Sequence, residues 1–255
     1  MREWLPEIID EVDHWIEKSD FSVKQAERIR QGLILTQNSS CYGLSEDHRP
    51  TLFIPNLSAT PWWDPSDFQW SESLIQAKQQ ILAELKKNKD LKGGRISEHS
   101  ADTSDWRAQY LMSICRKNDL NMHHYPDTWS ILERISGATD ASMVFFSALK
   151  GKSHIRPHSG FTNAHLRCHL PLIINDRCKI RVSNVTRRWE TNKLLIFDDS
   201  FEHEVWNDSE ETRWVLIFDI FHPELYHEET KILSFVFQAY RKHFLRNKIS
   251  KLAIF

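Results

Sequence analysis

No run of about 18 apolar residues occurs in the chain, so the sequence offers no membrane-spanning helix. Its opening, MREWLPEIIDEVDHW, has acidic residues where a secretory leader needs a basic and then an apolar stretch. The four cysteines, Cys41, Cys115, Cys168 and Cys178, form no C-x-x-C pair. These absences predict a reduced, cytoplasmic protein, in which the sequons at Asn38, Asn56, Asn184 and Asn207 are chance matches. An excess of charge is missing too: 33 Lys and Arg face 35 Asp and Glu, for a net charge of -2. That balance gives neither nucleic acid nor a membrane surface a reason to be the main partner. There is no internal repeat or low-complexity tract. What remains is a globular chain of 255 residues, long enough to bury a full core and unusually rich in Trp (10) and His (13).

Residues 2–32 predict one or two amphipathic helices, with Leu5, Ile8, Ile9, Val12 and Trp15 at three and four residue steps. LFIPNL (52–57) predicts a short extended segment, and ATPWWDPSDFQW a rigid, partly buried connection. In SESLIQAKQQILAELKKN, Leu74, Ile75, Ile81, Leu82 and Leu85 share one helical face, and lysines suit its negative end. Residues 91–105 predict a loop. Asp127 is a candidate cap for a helix ending at Gly137.

From Ala141 to Phe221 short runs rich in Val, Ile, Phe and Leu alternate with turn residues, which predicts an antiparallel β domain, closed or doubled to protect its edges. The tail from Thr230 is helical again, with a basic face of Lys231, Arg241, Lys242, Arg246, Lys248 and Lys251; a solvated face is the ordinary reading, an acidic partner the other. The implied organisation is a helical extension (1–50), a β domain (51–228) and a C-terminal helix packed on it (229–255).

The chemistry concentrates in RPHSGFTNAHLRCH, residues 156–169. On a strand, His165, Arg167 and His169 point one way and Leu166, Cys168 and Leu170 the other. Cys168 then reads as a small buried hydrophobe. Two histidines and an arginine on an interior face need an anion or a metal to compensate their burial; a solvent-exposed face would need neither. A second cluster, LLIFDDSFEHEVWND, carries His203, and Arg213 follows it. A histidine, a second some tens of residues on, and an arginine about ten further is the order by which a double-stranded β-helix holds iron and pairs the distal carboxylate of 2-oxoglutarate with a guanidinium. The usual third ligand is a carboxylate two residues past the first histidine, and Gly160 stands there. Either the metal is not iron, or the iron keeps only two protein ligands.

These stretches, with CKIRV, FDIFHPEL, PWWD and Ser147 in FFSAL, resemble the aspartyl/asparaginyl β-hydroxylases over about residues 52–227. Those enzymes are 2-oxoglutarate oxygenases that lack the third carboxylate. The resemblance implies a mainly β chain with flanking helices around a double-stranded β-helix (jelly-roll, cupin-like) core. It implies Fe(II), 2-oxoglutarate and O2, with His158 and His203 as iron ligands. Arg213 and Ser147 would hold the distal carboxylate, while Arg167 and His169 would serve the other end of 2-oxoglutarate or the substrate. His165 replaces an arginine near the substrate's acidic group, which loosens the implied aspartyl specificity. The substrate expected is a small molecule or a peptide.

Asp198 and Asp199 read either as partners fixing a histidine tautomer or as turn chemistry. Three other readings compete. One is a zinc site on His154 and His158 with His222 or His227, opposed by Pro157 and Gly160. Another is a cupin-like binding module that keeps its pocket without catalysis. The third makes PWWDPSDFQW a docking surface instead of core.

Overall fold

The computed structural model describes residues 5–19, 21, 23–38, 44–90, 94–95 and 106–252, with backbone only at 23, 94–95 and 246–252. Its elements are α1 (Leu5–Glu17), α2 (Val23–Asn38), β1 (Trp62–Trp63), α3 (Ser71–Asn88), β2 (Gly94–Arg95), β3 (Trp106–Ser113), β4 (Arg116–Lys117), α4 (Asp119–His124) and α5 (Pro126–Leu132). There follow β5 (Val144–Leu149), β6 (Ser153–His158), β7 (His165–Ile173), β8 (Cys178–Val182), β9 (Val185–Arg188), β10 (Leu195–Phe197), β11 (His203–Asn207), β12 (Arg213–Phe221) and α6 (His227–Leu252).

The strands form two antiparallel sheets. One runs β1-β10-β7-β12-β5-β3-β2, with β4 on β3; the other runs β6-β11-β8-β9. They face each other across Phe145, Leu149, Val215 and Ile217 from the large sheet and Ile155, Ile180, Val182 and Val205 from the small one. This is the double-stranded β-helix, with helices on its outside. The outer face of the large sheet (Phe146, Leu166, Cys168, Leu170, Leu216, Phe218) is covered by Leu74, Ile81 and Leu85 of α3 and Trp129 and Leu132 of α5. Each such fully buried side chain contributes roughly 1.5–3 kcal/mol. A third cluster joins α1, α2 and α6 to Leu52, Ile54 and Ala164, so both terminal regions pack on one end of the barrel.

Helix α3 spans the expected residues, and two helices occupy the N-terminal stretch. Helix α2 runs to Asn38 instead of 32 because the next segment grips it: the Phe53 amide donates to Thr36 Oγ1, which itself donates to the Gly32 carbonyl. The extended segment at 52–57 is a single bridge, Leu52 to Thr162, with Ile54 clamped by both ends of the Asn163 amide. PWWD contains a strand where a connection was expected, since Trp62 and Trp63 pair with Phe197 and Ile196. Trp62 lies against Phe197 and Trp63 against Phe68 and His222; both indoles are half-buried.

The sheet also begins before Ala141. Strand β3 lacks a period-2 burial pattern because a register shift falls between Tyr110 and Met112. Asp127 does not cap α5: the helix starts at Pro126, and the Asp127 and Thr128 amides donate to the Glu84 carboxylate on α3. It ends at Leu132, ahead of the left-handed turn at Gly137. Of the expected loop 91–105, only Gly94 and Arg95 are described, paired to β3.

Candidate active site

Strand β6 shows how the backbone aims His158. Its odd residues Ser153 and Ile155 face inward and His154 outward, so strict alternation would send His158 outward as well. The pairing with β11 slips instead: His203 faces His158, whereas Val205 faces Ile155, leaving an extra residue on β6 beside Pro157. A bulge here is where proline is tolerated in a sheet, and it turns His158 inward. The two imidazoles then lie 4.1 Å apart by ring centroids. His158 Nδ1–H donates to the Arg156 carbonyl (2.7 Å) and His203 Nδ1–H to the Phe201 carbonyl (2.9 Å). Both rings therefore keep a bare Nε2 lone pair, the tautomer a metal requires. Burial lowers the pKa of His158, and burial together with His158 pulls His203 to about 3, so both are neutral. His154 is elsewhere, bonded to Glu204 and stacked on Trp206, and His222 sits beside the Ser58 carbonyl; neither joins His158 in a zinc site. Among the described residues no group of three or more His, Cys, Asp or Glu is arranged for a metal.

Next along the interior is a cation without a counterion. Arg213 is 1% exposed, donates from one Nη to Ser147 Oγ (3.2 Å), and leaves Nε and the other Nη without partners. Burial pulls its pKa down to about 10. An uncompensated buried guanidinium costs several kcal/mol unless an anion joins it. Its Cζ stands 4.7 Å over the Trp189 ring, and Trp189 Nε1–H donates to His169 Nδ1 (3.3 Å). That bond leaves the proton of neutral His169 on Nε2, buried and unpartnered, beside the two orphan donors of Arg213. Phe197 spans the gap between the two histidine groups, 5.0 Å from His169 and 5.7 Å from His203. Trp106 completes the wall, donating to Ser147 and lying 6.3 Å from His158.

Arg167 is committed to carboxylates already present. It holds Asp219 through Nε and an Nη (2.9 and 3.2 Å) and reaches Asp199 at 2.6 Å. His165 Nε2 meets the other oxygen of Asp199 at 3.1 Å. Burial favours the neutral acid, yet Arg167 and His165 hold the Asp199 carboxyl well below the ordinary range. This carboxylate also explains Gly160: a Cβ built there would fall inside it, so the position two residues past His158 has no room for a side chain, and Gly160 donates its amide to the Asp199 carbonyl. Asp198 turns the other way, accepting from the Ser200 amide and hydroxyl. His48, stacked on Phe201 at 4.1 Å, bonds Ser200 Oγ at 2.9 Å. Residues 47–49 thereby fasten the turn that carries Asp199 and leads to His203.

Thus His158, His203, His169, Arg213 and Ser147 line one interior, and His165, Arg167 and Asp199 form a salt-linked wall beside it. Asp198 belongs to the turn's outer anchor. Trp189, Asp219, His48, Phe197 and Trp106 escaped sequence reasoning. Asp219 alone left a signal, a lone acid in the apolar run RWVLIFDIF.

Residues 75–223 match the family model described as aspartyl/asparaginyl beta-hydroxylase. An aspartyl/asparaginyl beta-hydroxylase of Mus musculus is 37% identical over 189 residues, 71% of this chain and 26% of that protein. The ornithine lipid ester-linked acyl 2-hydroxylase of Rhizobium tropici is 34% identical over 180 residues, 66% of this chain and 62% of the other. The chain thus spans about a quarter of the mouse relative's length. A Pseudomonas putida prolyl-4-hydroxylase structure aligns over 58% of this chain and 87% of its own, at 12% identity and a TM-score of 0.38. With more than half its residues inside the family match and over a third of the aligned positions shared with the mouse relative, the chain belongs to the aspartyl/asparaginyl β-hydroxylase family.

Proposed function

We propose that the chain is an Fe(II)- and 2-oxoglutarate-dependent oxygenase that hydroxylates an unactivated carbon. The substrate is an Asp- or Asn-like residue hydroxylated at its β-carbon, or a small amino-acid-derived molecule. The observation that carries this reading is Arg213, a buried cation lined up with the unpartnered N–H of His169 and lacking an anion. That donor set fits a carboxylate, and the two bare Nε2 atoms nearby fit a divalent metal. His158 and His203 would hold Fe(II), which when bound supplies oxygen activation with 2-oxoglutarate as the reductant.

The chain's own residues do the positioning. Arg213 and His169 bind the distal carboxylate, Ser147 steadies the guanidinium, and Trp189 fixes both. The Phe197 and Trp106 rings exclude water between the carboxylate end and the histidines. Asp199 is pinned by Arg167 and His165, which keeps its carboxylate committed to those two cations.

The test is anaerobic addition of Fe(II) and 2-oxoglutarate to the purified chain. A visible metal-to-ligand charge-transfer band is expected, absent in His158→Ala and Arg213→Ala. No band in folded wild-type protein overturns the reading.

A further inference from the structure

On the outside of the barrel a groove of about 550 Å³ separates the β3–β4 turn and α4 from α6. Its walls carry the cations Arg116, Lys117 and Arg241 and the apolar groups Leu120, Phe244 and Leu245. A second hollow of about 640 Å³ shares those three cations and continues to Lys242. Lys242 is paired with Glu11, and Lys117 rests over the Trp129 ring. Arg116 and Arg241 have no acidic partner among the described residues, and Asp119 is the one acid on the first wall. In a chain of net charge -2 this is a local surplus. Leu120 and Leu245 are 82% and 40% exposed, two of the four large exposed hydrophobic side chains among the described residues.

We infer that this groove docks the protein on an anionic lipid surface. Cations close to such a surface each add about 1 kcal/mol, and apolar tips beside them enter the boundary between headgroups and acyl chains. An acidic soluble polypeptide would satisfy Arg116 and Arg241 but leave Leu120 in water.

Flotation of the full chain with vesicles tests it. Binding is expected to phosphatidylcholine vesicles containing phosphatidylglycerol, and not to phosphatidylcholine alone. Arg116→Glu, Arg241→Glu and Leu120→Asp should each weaken it about tenfold, whereas Val185→Asp, at an exposed position on another face, should not. All four sites are at the surface, so far-UV circular dichroism should be unchanged. Absence of phosphatidylglycerol-dependent flotation overturns the proposal. So does binding indifferent to Leu120→Asp, or equal binding to poly-glutamate, which would mark an acidic-polypeptide site. The charge-transfer band, read on the same preparation, fails or holds independently of flotation.

Discussion

The indole N–H of Trp189 donates to Nδ1 of His169 at 3.3 Å, and the same ring lies beneath the Arg213 guanidinium. One side chain from the β9–β10 connection thus sets the tautomer of one candidate carboxylate donor and the place of the other. Trp189→Phe keeps an aromatic surface and removes the donor. Its affinity for 2-oxoglutarate, measured calorimetrically without O2, should fall about tenfold, the worth of roughly one hydrogen bond to an ionised group. Nitrogen chemical shifts of His169 should change from a pure Nε2–H form to a tautomer mixture. An unaltered tautomer would remove Trp189 from this role.

Gly160 is excluded from bearing a side chain by the Asp199 carboxylate, which His165 and Arg167 hold in place. Gly160→Asp should therefore not supply a third metal ligand. It should destabilise the fold by roughly 1–3 kcal/mol, the ordinary cost of overpacking, without tightening metal binding. A stable variant that binds Fe(II) more tightly than wild type would show that Asp199 can move aside.

Asp219 is fully buried and holds Arg167 from the opposite strand. Asp219→Asn should cost about 3 kcal/mol in chemical denaturation, since it leaves a largely buried guanidinium with fewer charges around it. A loss below about 1 kcal/mol would mean that Asp199 alone compensates Arg167.

His48 and Asp198, 3.8 Å apart, are shifted in opposite directions by the same burial. Asp198 is raised to about 7 and His48 lowered to about 4, so both are neutral when folded near pH 5.5. A raised carboxyl contributes stability that is full below its unfolded pKa and lost as pH climbs to about 7. A lowered imidazole contributes stability that is full above its unfolded pKa and lost as pH drops to about 4. The two slopes largely cancel in the wild type. His48→Asn should unmask a stability that falls with rising pH over this window, and Asp198→Asn one that falls with dropping pH. Parallel slopes in the two variants would contradict the assignment.

An antiparallel β domain, closed or doubled, was legible because the strands between Ala141 and Phe221 are short, apolar and separated by turns, its double-stranded β-helix form followed from the family resemblance, and α3 was legible because its apolar stripe is regular. The part of the sheet before Ala141 was not. Strand β1 is two residues long and exists through pairing with β10, and the register shift in β3 hides its period. The cap of α5 is a carboxylate from another helix, which no local pattern announces.

Of the candidate site, the sequence by itself determined the chemistry available: two histidines and an arginine in a telling order, a loaded strand face, and a glycine where a carboxylate is usual. Strand alternation and the fixed ionic character of Arg213 made these readable. Only the tertiary structure decided which groups are already neutralised and which are not. Alternation puts Arg167 and His169 on the same face, yet Asp219 and Asp199 take Arg167, while His169 and Arg213 keep unfilled donors beside Trp189. It also decided that His158 turns inward beside His203 while His154 faces outward, because a bulge beside Pro157 reverses the parity. Charge compensation and register depend on contacts between residues far apart in sequence, and the order of residues along one strand does not contain them.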